Sequence, residues 1–233
     1  MESKLWIVVP AAGDSARFRS AGYTTPKPFL KVGPKEGTPD YMIQFVLDSV
    51  PNYDDVEKII VLRQEVDIPQ DFKANPHVLR IQSTKGQADT IYKAVKELPG
   101  TDAVLVLDCD MILTAADTGR IVGLMENYDS VIAVTETFDP NASRVDSIPY
   151  PTRFVEKEPI SQWGIVGARA FKCASDLTDA LKRAIDRYET INREPYLSVA
   201  INYMPGTKVT HLIHDFVDLG TPERIRESGW RIL

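Results

Sequence analysis

Apolar residues fall into short continuous runs separated by segments of helical period. The runs at residues 5–9, 58–62, 78–81, 103–107 and 131–134 have the length and continuity of strands that are buried on both faces. Between them, apolar residues recur at three- and four-residue intervals over residues 43–50, 88–95 and 121–128. This alternation predicts βαβ units and a three-layer α/β/α architecture with a mixed, mainly parallel central sheet.

The pattern changes between residues 138 and 151, where Asp, Pro, Asn and Ser interrupt it. We expect a long irregular connection here, either a lid or a subdomain boundary. Beyond it, an apolar stretch lies around residues 164–171, and the pattern predicts an amphipathic helix around residues 177–188 and a late strand at residues 209–213. Pro222 then opens a last short helix. The length of 233 residues favours one domain over residues 1–233.

Net charge, the start of the chain and cysteine content indicate which partners and which cellular compartment to expect. The formal net charge of -6 argues against nucleic-acid binding, which needs a basic face. The start of the chain is polar, and the apolar run at residues 5–9 is too short for a signal segment or a membrane span. Cys109 and Cys173 form no CxxC pair. These features predict a cytoplasmic protein without a nucleic-acid or membrane partner. A small anionic substrate is still compatible with the net charge, because a local cluster of Lys and Arg can bind it.

The loop after the first predicted strand has the composition of a phosphate-binding loop. Residues 10–18 read Pro-Ala-Ala-Gly-Asp-Ser-Ala-Arg-Phe, and small residues allow backbone N–H groups to approach a polyphosphate. Arg17 and Lys27 would supply positive charge. The loop matches neither the Walker nor the dinucleotide fingerprint. The alternative is a plain turn with two solvated cations, but the position at a strand end favours binding.

Acidic residues follow two predicted strands. Asp108 and Asp110 come directly after the run at residues 103–107, and in an extended chain they would lie on the same side. Magnesium usually takes one or two carboxylates. Two acids capping the next helix explain the pair equally well. Asp218, followed by a glycine turn, adds an acid from a second strand end, although a simple turn before a helix is also compatible.

Two further segments are weaker signals by themselves. Lys157 stands among acidic residues, where a surface ion pair is the simplest interpretation. Residues 82–89 open the second predicted helix, whose backbone amides are placed to meet an anion or the edge of a base.

Together these segments resemble the sugar-phosphate nucleotidylyltransferases, the family of glucose-1-phosphate thymidylyltransferase, and especially its short members associated with capsule and surface polysaccharide. The similarity runs from about Ile7 to Arg224. Its strongest parts are the loop at residues 10–18, Pro-Lys-Pro-Phe-Leu at 26–30, Asp110, Glu-Lys at 156–157 with Pro-Ile-Ser at 159–161, and Asp218 with Gly-Thr-Pro-Glu at 220–223.

The resemblance implies a Rossmann-like, GT-A-like nucleotidyltransferase fold and a role for each motif. Arg17, Lys27 and Asp110 would be catalytic, and Asp110 and Asp218 would bind Mg²⁺. The implied nucleotide-binding residues are Ala11, Ala12, Gly13, Asp14, Ser15, Arg17, Lys27, Gln82, Gly86 and Asp108, with Gln82 and Gly86 at the base. The implied sugar-phosphate residues are Glu156, Lys157, Gly167, Glu194 and Tyr196, within a sugar-binding part at approximately residues 138–215.

The implied reaction condenses a nucleoside triphosphate with a sugar 1-phosphate to give a nucleotide-sugar and pyrophosphate, for surface polysaccharide synthesis. The first loop carries less glycine than is common in the family, and Met111 follows Asp110 where thymidylyltransferases carry Asn, so base and sugar stay unassigned. The alternatives are a glycosyltransferase of the related fold and a nucleotide-binding module without catalysis. The resemblance is also compatible with a homo-oligomer.

Overall fold

The computed structural model describes residues 3–191 and 194–233. The strands are β1 (Leu5–Pro10), β2 (Lys31–Pro34), β3 (Asp40–Tyr41), β4 (Val56–Arg63), β5 (His77–Ile81), β6 (Ala103–Leu107), β7 (Met111–Leu113), β8 (Ser130–Glu136), β9 (Ser143–Val145), β10 (Phe154–Glu156), β11 (Trp163–Phe171), β12 (Lys208–Leu212), β13 (Phe216–Asp218) and β14 (Trp230–Ile232). The helices are α1 (Ala16–Ser20), α2 (Met42–Asp48), α3 (Gln87–Val95), α4 (Ala115–Leu124), α5 (Ala174–Ile191), α6 (Leu197–Ile201) and α7 (Pro222–Glu227). Each continuous apolar run predicted as a strand is a strand.

A nine-stranded sheet forms the centre of the molecule. β5, β4, β1 and β6 lie side by side and are parallel, and β8 and β12 form another parallel pair. β11 lies between β6 and β8 and is antiparallel to both, so β6 and β8 point in the same direction. The predicted mixed, mainly parallel sheet is confirmed. The carboxyl ends of its central parallel strands meet along one edge.

The segment predicted to be irregular, residues 138–151, contains a strand. β9 pairs with β10 and, through Arg144, with Gly164 at the start of β11. β11 itself is irregular in its middle, because its pairing with β8 shifts between Ile165 and Arg169. Irregularities of this kind bend a strand and are common beside active sites.

Apolar side chains of the central strands alternate between two cores. In β1, Val8 belongs to one core and Ile7 and Val9 to the other, and all three are fully buried. Helices α3, α5 and α6 contribute to the first core, and α2 and α4 to the second. The three-layer architecture is thus confirmed, and burial on both faces explains the continuous apolar runs. Within the described ranges, no helix is both long and apolar enough to cross a membrane.

A third, smaller core joins the beginning of the chain to its end. Phe18 of α1 packs in it with Leu219 and with Ile225 of α7. β14 pairs with β2, and β2 with β3, in a separate three-stranded sheet, while β13 pairs with β7. The loop after β1 is therefore held against the segment after β13, although these two segments are far apart in sequence.

Candidate active site

A cleft of about 930 Å³ opens where the central parallel strands end. Pro10 ends β1, Arg63 ends β4 and Asp108 follows β6, and all three line the cleft. Its other walls come from the start of α3, the loop at residues 137–143, β10, and the segments around residues 194–196 and 216–224. Open α/β sheets bind their ligands at this edge.

The loop after β1 offers unpaired backbone amides to the cleft. Ala12, Gly13 and Asp14 line it, and no acceptor in the described part of the chain binds the N–H groups of residues 12–15. Consecutive free amides form a concavity that attracts anions. Arg17 also lines the cleft, is exposed, and forms no ion pair with a described residue. This wall is therefore suited to a polyphosphate.

Lys27, at the start of a 3-10 turn, forms an ion pair with Asp110. Its Nζ also donates to the carbonyl oxygen of Gly220 at 3.4 Å. Burial alone would lower the pKa of Lys27, but the carboxylate of Asp110 outweighs burial and the pKa is raised. Burial likewise opposes ionisation of Asp110, while Lys27 brings the pKa of that carboxyl below its ordinary value. Both groups are therefore charged at neutral pH.

Asp218, the last residue of β13, lies beside Asp110. The N–H of Leu219 donates to the backbone carbonyl of Asp110 at 2.8 Å. The carboxylate of Asp218 accepts a hydrogen bond from the N–H of Gly220 at 2.8 Å, and Gly220 also contacts Lys27. Lys27 from the start of the chain and the acids from two distant segments therefore lie together at the edge of the cleft.

Asp110 and Asp218 supply the hard oxygen atoms that Mg²⁺ prefers. Within residues 3–191 and 194–233, no group of three or more His, Cys, Asp and Glu side chains could hold a metal ion. Magnesium usually takes one or two carboxylates and completes its coordination with water and substrate phosphates. The two acids therefore fit an ion that binds together with a polyphosphate.

Asp108 and Asp110 are near enough for each charge to affect the other but bind different partners, so the prediction that they lie on the same side stays a prediction. The chain turns directly after β6 instead of staying extended. Asp108 accepts hydrogen bonds from Arg169 at 2.6 Å and from Nε2 of Gln87 at 2.9 Å. Burial raises the pKa of Asp108, against the effect of Arg169. Neither acid caps α4, which begins after Thr114.

Gly86 brings the start of α3 against the segment at residues 194–196. Its φ is +153°, and a Cβ atom there would lie 2.6 Å from Cγ of Glu194. The N–H of Ala88 donates to the carbonyl of Pro195 at 3.0 Å. Position 86 therefore requires glycine. Gln82, by contrast, is exposed and does not line the cleft.

Glu156, at the end of β10, is an acid fixed in the wall of the cleft. One carboxylate oxygen accepts hydrogen bonds from the hydroxyls of Ser143 and, at 2.9 Å, of Ser198. The other oxygen has no described hydrogen-bond partner. It is therefore available to accept a hydrogen bond from a ligand hydroxyl.

Lys157 extends the same wall with a chain of hydrogen bonds. Its Nζ donates to the hydroxyl of Tyr196 at 3.0 Å, and this hydroxyl donates to Glu194 at 2.7 Å. The contact with Tyr196 raises the pKa of Lys157. Lys157 forms no ion pair with a described residue, so the simple surface ion pair is not observed. An ammonium beside hydroxyl and carboxylate groups suits a phosphorylated polyol.

The family of the chain follows from comparison with known proteins. Residues 7–185 match the model of the MobA-like NTP transferase domain. The chain belongs to this family. A search of curated protein sequences gives no match. The resemblance read from the sequence motifs is confirmed.

Solved structures with a similar fold cover almost the whole NTP transferase. The nucleoside-diphosphate-sugar pyrophosphorylase from Vibrio cholerae RC9 has a TM-score of 0.78 and 20% identity, over 96% of this chain and 99% of that one. A putative glucose-1-phosphate thymidylyltransferase from Bacillus anthracis has a TM-score of 0.74 and 16% identity, over 98% and 94%. The inositol-1-phosphate CTP transferase from T. maritima has a TM-score of 0.68 and 13% identity, over 95% and 91%. The predicted nucleotidyltransferase fold is thus confirmed.

Most residues predicted for the site of this NTP transferase line the cleft. They are Ala12, Gly13, Asp14, Arg17, Gly86, Asp108, Glu156, Lys157, Glu194, Tyr196 and Asp218. Lys27 and Asp110 lie at its edge beside Asp218, whereas Ala11, Ser15, Gln82 and Gly167 are not among its lining residues. Ala11 is buried and its N–H binds the carbonyl of Val61 at 2.9 Å, so this amide has no hydrogen to offer a phosphate. Ser15 instead accepts from the N–H of Lys27 at 3.3 Å.

Sequence reasoning missed several polar residues of the NTP transferase cleft. They are Arg63, Gln87, Asp139, Arg169 and Arg224. Arg63 donates to the carbonyl of Ala12 at 2.8 Å and thereby fixes the loop after β1. It directly follows a predicted strand, so searching every strand end would have found it. Arg224 directly follows the Gly-Thr-Pro-Glu motif.

Gly167 shapes the NTP transferase site from behind, and we expect Gly167→Ala to be destabilising. Its φ is +51°, and a Cβ atom there would collide with Leu113 and lie 3.1 Å from Cβ of Met111. Its carbonyl accepts the N–H of Asp108 at 2.8 Å. Overpacking should lower the free energy of unfolding by about 2 kcal/mol, measured by urea denaturation.

Gly123→Ala is the matched control for this substitution. Gly123 lies in α4, and a Cβ atom there meets nothing within 4 Å. Alanine in such a helical position should stabilise the protein by about 0.5 kcal/mol. Equal effects of the two substitutions would contradict the assigned role of Gly167.

Proposed function

We propose that this NTP transferase condenses a nucleoside triphosphate with a sugar 1-phosphate, giving a nucleotide-sugar and pyrophosphate. One observation carries the proposal: free loop amides, Arg17 and Asp218 line one cleft, and Lys27 and Asp110 form an ion pair at its edge. Names of structural neighbours support it, since they include a UTP-bound UGPase and a UDP-glucose pyrophosphorylase complexed with UDP-glucose.

The loop at residues 10–18, which we call the phosphate loop, would bind the triphosphate together with Arg17 and Lys27. The amides of residues 12–15 and the side chains of Arg17 and Lys27 would neutralise charge on the phosphate oxygens, which is the main requirement of phosphoryl-transfer chemistry. Gly86 and its neighbours at the start of α3 would lie at the base. Asp108, fixed by Arg169 and Gln87, would lie on the nucleotide side.

The wall formed by Glu156 and Lys157 would hold the sugar 1-phosphate. Glu156 would accept from a sugar hydroxyl, and Lys157 would orient the phosphate, with Glu194 and Tyr196 beside it. A phosphate oxygen of this substrate then attacks the α-phosphorus. As the new oxygen–phosphorus bond forms, the bond from the α-phosphorus to the oxygen bridging to the β-phosphorus breaks, and pyrophosphate leaves.

Magnesium is the cofactor we infer for this reaction. Asp110 and Asp218 would hold the ion, and the bound ion would neutralise charge on the phosphate oxygens. Asp218 lines the same cleft as residues 12–14, and Asp110 lies beside Asp218 at its edge. We also expect a cytoplasmic enzyme of surface polysaccharide synthesis with neither a nucleic-acid nor a membrane partner. The proposal is compatible with a homo-oligomer.

The decisive experiment combines five triphosphates (ATP, CTP, GTP, UTP and dTTP) with a panel of sugar 1-phosphates and measures pyrophosphate release. We expect release with at least one pair, in magnesium and not after chelation with EDTA. A glycosyltransferase would instead release a nucleoside diphosphate from a nucleotide-sugar. Triphosphate binding without release by any pair would favour a nucleotide-binding module.

Glu156→Gln tests the assignment of the acceptor wall. Losing the charged acceptor should raise KM for the sugar 1-phosphate about 10-fold, with a much smaller change in KM for the triphosphate. Glu158→Gln is the matched control, because Glu158 is exposed, lies two positions away and pairs only with Arg153 among described residues. If only KM for the triphosphate rises, Glu156 contacts the nucleotide, and its assignment to the sugar 1-phosphate is wrong.

A further inference from the structure

Arg224 bridges two acids that line the cleft. One Nη atom pairs with Asp218, the second candidate ligand of the metal ion, and the other pairs with Asp139 in the loop at residues 137–143. Arg224 itself also lines the cleft and is partly exposed. Each proposed metal-binding carboxylate therefore already has a cationic partner, Lys27 on Asp110 and Arg224 on Asp218.

The backbone is held in place at Arg224 and at Asp139, the two ends of this bridge. The N–H of Arg224 donates to the hydroxyl of Thr221 at 3.2 Å, which caps α7. On the other side, the buried side chain of Arg144 donates to the carbonyl of Asp139 at 2.7 Å and to that of Thr137 at 2.9 Å. The backbone is therefore held at both ends of the bridge, and rotation of the side chain of Arg224 is enough to change its partner.

A divalent ion and Arg224 compete for Asp218. One oxygen of this carboxylate is occupied by the N–H of Gly220 and the other by Arg224. An ion that binds this carboxylate would place two positive charges beside the guanidinium, and like charges at such short range repel strongly. Arg224 would then leave Asp218 while Asp139 still holds its other nitrogen.

We propose that Arg224 is a further phosphate-binding residue of the reaction, exchanged from Asp218 to a substrate phosphate when the metal ion arrives. The released nitrogen lies in the cleft beside the carboxylate that would hold the ion, which is where phosphate oxygens bound to that ion would be. The planar guanidinium suits two-pronged contact with phosphate. This proposal rests on the proposed function, because it takes the metal site and the polyphosphate from it.

The test measures binding without turnover. In Arg224→Gln, Mn²⁺ titrated alone should bind about 2- to 5-fold more tightly, because a competitor of the strength of a partly exposed ion pair is removed. Pyrophosphate titrated in magnesium should bind about 10- to 100-fold more weakly, because a charged contact is lost. Calorimetry measures both affinities. Unchanged or weaker Mn²⁺ binding, or unchanged pyrophosphate binding, would overturn the proposal.

Three further variants sharpen the result. Arg226→Gln, on the same helix but paired only with Glu223 among described residues, should change neither affinity. Asp139→Asn leaves Arg224 competing for Asp218 and should not tighten Mn²⁺ binding; tightening would contradict the exchange. If Arg224→Gln does not fold, Arg224→Lys replaces it, and undiminished pyrophosphate binding in that variant would overturn the proposal.

Failure of the proposed reaction is visible separately. If the wild-type protein releases no pyrophosphate with any substrate pair, the proposed function fails. The binding shifts in Arg224→Gln would still support the exchange. If the wild-type protein is active but the two shifts are absent, only the exchange fails.

Discussion

Lys27→Met should lower kcat/KM for pyrophosphate release at least about 100-fold. The ammonium of Lys27 lies among Asp110, Asp218 and the phosphate loop, and its raised pKa keeps it charged. Methionine retains much of the volume but removes the charge that would act on phosphate oxygens. Steady-state kinetics with the substrate pair identified by the panel measures the loss.

The same substitution should change stability in a way that depends on magnesium. Without Lys27, the partly buried Asp110 lacks a counter-charge, which should lower the free energy of unfolding by about 3 kcal/mol. A divalent ion that binds Asp110 would restore part of this loss, so magnesium should raise Tm more in Lys27→Met than in the wild type. Thermal unfolding with and without magnesium measures the difference.

Lys35→Met is the matched control, because Lys35 is exposed and forms no hydrogen bond or ion pair with a described residue. It should have near wild-type kinetics and the same response to magnesium as the wild type. Near-normal turnover of a folded Lys27→Met protein would show that the cation at the end of the cleft is not part of the chemistry.

Strands of the central sheet are predictable from sequence because their burial is uniform. Residues 103–107 are predicted as a strand and form β6, since covering layers on both faces leave no polar position in the run. β2, β3 and β14 are not predictable in this way. They are only four, two and three residues long, and β2 pairs with β14 from the opposite end of the chain. The local pattern of apolar residues does not indicate pairing between strands from distant parts of the chain.

The site shows the same division between local and distant information. Arg17, Lys27, Asp110 and Asp218 stand in recognisable motifs, and packing of the smallest core brings their segments together. The bridge formed by Arg224 has no sequence signal, because its acids come from segments that meet only in the folded protein.

Asp108 shows where the alternation along β6 stops. The strand ends at Leu107, so its alternating pattern does not extend to Asp108 and Asp110. The N–H of Asp108 binds the carbonyl of Gly167 at 2.8 Å, and the turn that follows directs Asp108 and Asp110 to different partners. The contact comes from the irregular part of β11, which sequence periodicity does not reveal.

Asp108 and Asp110 lie in one turn, but we expect Asp110→Asn to lower mainly the turnover and Asp108→Asn to lower mainly the stability. Asp110→Asn should reduce magnesium-dependent turnover about 100- to 1000-fold, because it removes a proposed metal-binding charge worth several kcal/mol in the transition state. Asp110→Asn should also bind magnesium more weakly, so the magnesium concentration that gives the half-maximal rate should be higher than in the wild type.

Asp108→Asn should act mainly on stability. Arg169 is only 6% exposed and pairs with Asp108, so neutralising that carboxylate leaves a buried cation without its counter-charge. The free energy of unfolding should fall by about 3 kcal/mol. KM for the triphosphate should rise because the hydrogen bond that orients Gln87 is altered. Urea denaturation and steady-state kinetics on both variants give the comparison. If Asp108→Asn raises the magnesium requirement as much as Asp110→Asn does, the ion binds Asp108 as well, and the assignment of Asp110 and Asp218 as its pair of ligands is wrong.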